Sequence, residues 1–118
     1  MSVIETLADW ITRQSGSWSE IALSRAEHAF SDTIACMVAG SADAVSHKVS
    51  DAVRRWGAGS ATIFGSDAKV AAPWAAMVNG TAAHVLEIDD NYYPALTHAS
   101  AILVPALIAL GEEIHADG

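Results

Sequence analysis

The chain is 118 residues long, 52% hydrophobic, and carries a formal net charge of −8. With six basic residues against fourteen acidic ones, it is excluded as a binder of nucleic acid or of anionic membrane surfaces, both of which call for Lys and Arg. The length suits one domain with a real core, the alanine-rich composition favours closely packed helices, and the single cysteine, Cys36, excludes an internal disulfide.

Residues 3–13 predict a short amphipathic helix. Val3, Ile4, Leu7 and Ile11 share one face, and Ser2 with Glu5 has capping-box spacing. The acids of MSVIETLADW stand where a signal peptide carries positive charge, so the reading is a cytoplasmic chain. A long helix follows over 18–39. Ser17 and Glu20 open it, Ile21, Ala26, Phe30, Ile34, Met37 and Val38 stripe it, and Gly40 stops it. Cys36 lies in that apolar pattern and reads as an inert core thiol, while His28 reads as solvated. The next helix covers 43–56, with Ala44, Val45, Val49, Ala52, Val53 and Trp56 inward and His47 and Lys48 outward.

GAGSATIFGSD, residues 57–67, is a glycine-rich connector in which Ala61 to Phe64 suit a short strand or extended chain. As a phosphate loop it lacks the Gly-Lys-Ser/Thr ending and a strong strand before it. Residues 71–87 form the next predicted helix, with Pro73 in its first turn. Its faces are nearly all small, so it reads as a central helix, and a buried Asn79 would need hydrogen-bond partners. The last helix covers 98–114, is apolar all round from Ala101 to Leu110, and contains Pro105. That run of ten residues falls short of the ~20 needed to cross a bilayer. The fold class is therefore all-α: about five helices with a connector at 57–67.

Between the last two helices lies HVLEIDDNYYPALTHAS, residues 84–100. It crowds three acids, two histidines, Asn91 and two tyrosines between segments built for burial. A helix ending near Glu87, a rigid loop over 88–97 broken by Pro94, and a helix starting near His98 are the reading. Histidine is the usual proton carrier near neutral pH, and the free N–H groups of a helix start suit an anion. Asp89 and Asp90 read as partners that orient His98 or another base, or as acids in their own right. His84 and Glu87 pair at i, i+3 on one face, and with Asp89 and Asp90 they make a conceivable metal set. A second helix would have to supply matching ligands, and only Glu112, Glu113 and His115 offer themselves, so no metal is assigned. Tyr92 and Tyr93 read as packing or substrate-edge contacts.

The run AAPWAAMVNGTAAHVLEIDDNYYPALTHASAILVPALIAL, with SDTIACMVAGS and GSATIFG before it, resembles the N-terminal helical domain of the MmgE/PrpD family. The likeness covers about Ile21 to Glu113. It is carried by an APWAAMVNG-type helix, an acidic D-x-D-D-type cluster and a Thr-His helix start at a set distance. That family includes 2-methylcitrate dehydratase, cis-aconitate decarboxylase and iminodisuccinate epimerase. The resemblance implies small polycarboxylate substrates, no metal or organic cofactor, and a large helical domain with a smaller α+β lid, usually as a homodimer. It also implies that residues 1–118 are the N-terminal portion of the helical domain. The family's lysines and other histidines would then lie beyond Gly118, and the 118 residues alone would not turn over.

Carried over residue by residue, His98 matches the family's active-site histidine, and Asp89 and Asp90 match its paired acids. These are the expected catalytic residues. Glu87 stands where the first Asp is typical and Asn91 where several members have Thr. With Thr97 and Ser100 they are the expected substrate-binding residues. Glu87 to His98 is one residue longer than in the decarboxylase-type pattern, which argues against that reaction. The resemblance thus implies part of a dehydratase-like lyase or isomerase that moves a proton next to a carboxylate. The alternative is a truncated, inactive helical fragment that serves only in assembly.

Overall fold

The computed structural model describes residues 2–13, 16 and 18–117. Among them the chain forms five α-helices and one hairpin: α1 (Val3–Arg13), α2 (Glu20–Gly40), α3 (Ala44–Val53), β1 (Ala58–Thr62), β2 (Lys69–Val70), α4 (Ala72–His84) and α5 (Ala99–Ile114). The expected helical class holds. The connector is an antiparallel hairpin, with Thr62 opposite Lys69 and a bulge between Ala58 and Ala61, so its strand begins before the predicted 61–64.

Local signals account for most helix starts. The Ser2 N–H donates to Glu5 Oε2 at 2.6 Å and the Glu5 N–H to Ser2 Oγ at 3.2 Å, a complete capping box. Ser17 lies outside the described residues, and Ser19 caps α2 by accepting the Ala22 N–H at 3.2 Å. Asp43 caps α3 by accepting the Val45 N–H. The inward face of α3 differs from the expected one. Ser46, Ser50 and Val53 are buried, while Ala44, Val45, Ala52 and Trp56 are exposed. A buried hydrogen bond from Ser46 Oγ to the Gly40 carbonyl at 2.7 Å turns the serine face toward the end of α2.

Helix α4 is central, packing on α2, α3 and α5. Two glycines let backbones meet there. A Cβ on Gly40 would lie 1.9 Å from the Ala82 carbonyl oxygen, so α2 can cross α4 only with no side chain at that point. At the α4–α5 crossing, Pro105 has no N–H to give the Ala101 carbonyl one turn earlier. That freed carbonyl faces Gly80, where a Cβ would stand 3.0 Å from it. Asn79 is buried with both ends of its amide paired: its amide oxygen accepts the Phe64 N–H at 3.0 Å, and its Nδ2 donates to the Thr62 carbonyl at 2.9 Å. It thereby ties the hairpin to α4.

The end of α5 is stitched down rather than frayed. Glu112 accepts the Thr62 N–H and hydroxyl at 2.6 and 2.7 Å. Glu113 accepts the Ala72 N–H at 2.8 Å, placing a carboxylate on the positive end of α4. Burial of α5 is one-sided. Ala101, Val104, Pro105 and Ala109 are covered, while Ile102, Leu103, Leu107 and Leu110 are exposed, against the expectation of a helix buried all round. Among the described residues no helix is long and apolar enough to cross a membrane.

Candidate active site

The crossing at Gly80 and Ala101 also sets the positions of two histidines. His84 follows Gly80 by one turn on the same face of α4, and His98 precedes Ala101 by about one turn at the head of α5. Their ring centroids stand 4.6 Å apart. Helix α4 ends at His84, three residues before the expected Glu87. The chain then reverses through Glu87, a non-glycine residue at φ 51°, and it regains helix after Leu96, at φ 47°. Left-handed backbone costs an L-residue roughly 1–2 kcal/mol, so both ends of this loop are held in place by their surroundings. A one-turn 3₁₀ segment, Tyr93–Ala95, and paired backbone bonds between Tyr92 and Thr97 stiffen the span between them.

The reversal drops Asp89 between the imidazoles. Its side chain is 0% exposed, against 46% for His84 and 31% for His98. His84 Nδ1 lies 3.1 and 3.2 Å from the two Asp89 oxygens. His98 Nδ1 lies 3.1 Å from Asp89 Oδ2, but out of line for a hydrogen bond, and this buried nitrogen has no other partner among the described residues. We read that contact as a close charge–dipole approach rather than a formed bond.

Asp90 does something different. Its Oδ2 accepts the Ser100 hydroxyl at 2.5 Å and its Oδ1 accepts the Ser100 N–H at 3.4 Å. It therefore caps the first turn of α5, supplying the bond that the side chain of His98 does not. One N–H expected to be free for an anion is already taken by this carboxylate. Of the expected substrate-binding residues, Ser100 is held by Asp90, and Thr97 is paired through its backbone to Tyr92 and lines the groove described below. Glu87 and Asn91 are exposed and do not join the cluster.

His84 is the residue that the sequence reading left out of the site. Its expected i, i+3 pairing with Glu87 does not form, because α4 ends before Glu87 and Asp89 takes the bond instead. The His-x4-Asp spacing across a helix end was the available signal. Single donor atoms of His84, Asp89 and His98 all lie within 4.8 Å of one another, so spacing alone would allow a metal ion. The hydrogen bonds account for the closeness of His84 and Asp89, while His98 stands beside the same carboxylate without one. Of the matching ligands weighed on the last helix, Glu112 and Glu113 are taken up by backbone N–H groups elsewhere.

Both imidazoles border a groove of about 860 Å³ between α4 and α5, whose other walls include Met77, Gly80, Thr97 and Ile102. The arrangement combines an apolar cleft with a few convergent polar groups at one end, the usual form of a small-molecule site. Behind it lies a buried cluster of Cys36, Met37, Ala83, Ala101 and Val104. Burial first, and then the carboxylates of Asp32, Asp89 and Asp90, push the Cys36 thiol above its ordinary range. It is neutral and inert at physiological pH, as expected for a core thiol.

A family model described as the MmgE/PrpD N-terminal domain matches residues 5–118. Human cis-aconitate decarboxylase is 31% identical over 101 residues, covering 84% of this chain and 21% of its own length. The mouse cis-aconitate decarboxylase is 33% identical over 92 residues, covering 76% of this chain and 19% of its own. A cis-aconitate decarboxylase-like protein of Aspergillus oryzae is 30% identical over 114 residues, covering 94% of this chain and 23% of its own. The chain thus spans about a fifth of the length of the curated relatives it matches. No solved structure gives a significant match.

Proposed function

The chain belongs to the MmgE/PrpD family, and from that premise we propose that it is the N-terminal portion of the helical domain of a lyase or isomerase of small polycarboxylic acids. In this reading a proton moves on a carbon next to a carboxylate, and no metal or organic cofactor takes part. His98 is the proton carrier. Asp89 orients it, and Asp90 builds the helix end on which it stands. Of the expected substrate contacts Thr97 lines the groove, and Glu87, Asn91 and Ser100 are carried over from the family resemblance alone, with the remaining helices, the lid and a second subunit supplying further contacts. The supporting observation is the buried Asp89 carboxylate 3.1 Å from His98 Nδ1 at the mouth of an apolar groove. A carboxylate behind one ring nitrogen leaves the other free for substrate, the arrangement that serves proton transfer in many sites.

The relatives are described as decarboxylases or decarboxylase-like. The longer interval between Glu87 and His98 favours dehydration or epimerisation for this chain instead. The test is His98→Ala in a complete enzyme carrying this segment. We expect kcat/KM for a polycarboxylate to fall by at least ~100-fold, within the range for a positioned proton-transfer group, with the melting temperature unchanged. A normal kcat/KM with a lowered melting temperature would leave His98 as a helix-start residue only.

A second reading has one observation in its favour. The exposed apolar face of α5, from Ile102 to Leu110, is large enough to serve assembly without turnover. Under it, His98→Ala would leave self-association intact, while Leu103→Asp with Leu107→Asp would abolish it.

A further inference from the structure

One carboxylate serves two imidazoles in this site. An ionised carboxylate only accepts hydrogen bonds, so any ring nitrogen that bonds to it must carry the hydrogen. His84 already meets both Asp89 oxygens through Nδ1. His98 presents Nδ1 to the same group at 3.1 Å and has no other partner for that buried atom among the described residues. Rotation about χ2, a broad torsion in histidine, is the movement that changes the direction of this nitrogen. With hydrogen on both Nδ1 atoms, each neutral ring keeps a lone pair on Nε2, on the edge away from Asp89. Both side chains border the same groove.

We propose that His84 is a second acid–base residue of this site, held with His98 in the Nδ1–H tautomer by the single buried carboxylate of Asp89. The proposal rests on the reading of His98 given above and adds a partner to it. A pair of carriers favours dehydration or epimerisation over decarboxylation, and the step argued here is dehydration of a hydroxylated polycarboxylate. Loss of water moves two protons, one off carbon and one onto the departing oxygen, and two rings can divide that work. The neutral Nε2 of one ring takes the proton from carbon, and the C–H electron pair becomes the new C=C bond. The C–O bond breaks, and the departing hydroxide takes a proton from the other ring, which begins the step as imidazolium. One ring gains the proton that the other loses, and water leaves. Loss of carbon dioxide needs only one carrier: the C–C bond breaks and the carbanion takes a single proton. Two imidazoles with centroids 4.6 Å apart supply such a pair.

The test reads the ring nitrogens directly. Long-range 1H–15N correlation spectra of the 15N-labelled chain, taken in mildly alkaline buffer, report the tautomer of each histidine. Exposed His28 and His47 serve as internal references. The expected result is Nδ1–H at both His84 and His98, with both reverting to the reference pattern in Asp89→Ala. Nε2–H at either residue in the unaltered chain would overturn the proposal. Nε2–H at both, with both shifting on addition of zinc alone, would overturn it in favour of a cation bound through the Nδ1 atoms. In a complete enzyme carrying this segment, His84→Ala should lower dehydration of a hydroxy acid by roughly 100-fold. An undiminished dehydration rate would overturn the assigned role. The tautomers do not depend on turnover, so a chain that handles no polycarboxylate would defeat the proposed function and still decide this point.

Discussion

Helix α1 carries Val3, Ile4, Leu7 and Ile11 on one face, and none of its residues is buried. Helix α4 has small residues on every side, and six of its residues are buried. The first has the pattern expected of a helix that packs, and the second has almost no pattern at all. The difference lies in how near another backbone can come. Alanine and glycine let α2 and α5 approach α4 closely, so its surface is covered by main chain and small side chains. The bulky stripe of α1 meets little in the described residues beyond an edge contact of Trp10 with Trp18 at 6.0 Å. An apolar stripe states that a face can be buried. Small residues state that two helices can touch.

Substitutions can break or sharpen that contrast. The largest effect is expected at Gly40. Gly40→Val would drive a side chain into the Ala82 carbonyl, and overpacking against backbone should cost about 3 kcal/mol in urea unfolding. A loss under 1 kcal/mol, on the same scale, would mean that α2 can slide off α4 freely. Next comes Asn79→Leu, which keeps the bulk but orphans the Phe64 N–H and the Thr62 carbonyl. Roughly 2 kcal/mol should be lost, with faster amide exchange at Phe64 as the local sign. The smallest effect is expected on α1. Ile11→Ser should change stability by no more than about 0.5 kcal/mol, as for a surface position. A loss near 2 kcal/mol would show that the α1 stripe is covered in solution, and the contrast with α4 would narrow.

The same two regions show how far the chain could be read without coordinates. The Ser2–Glu5 box, Pro73 in the first turn of α4, the buried Cys36 and the need to satisfy Asn79 all follow from short-range chemistry, and all hold. The inward face of α3 did not follow in full. Val53 and Val49 do pack on the core as expected, but Ala44, Val45 and Ala52 do not, because a hydrogen bond from Ser46 to Gly40 brings the serines inward beside Val49 and Val53. Nor did the covered side of α5 follow, because a helix apolar all round carries no mark of which side meets a neighbour.

At the candidate site the division is finer. Sequence by itself determined the family, the helical class, and the crowding of His84, Asp89, Asp90 and His98 into one short segment, because these depend on composition and order along the chain. Which acid faces which histidine was decided only by tertiary structure. Asp89 and Asp90 are neighbours in sequence, and nothing local distinguishes them. The left-handed turn at Glu87 and the Gly80–Ala101 crossing send one carboxylate under the two imidazoles and leave the other to cap α5. The direction in which the loop enters the fold therefore assigns their roles.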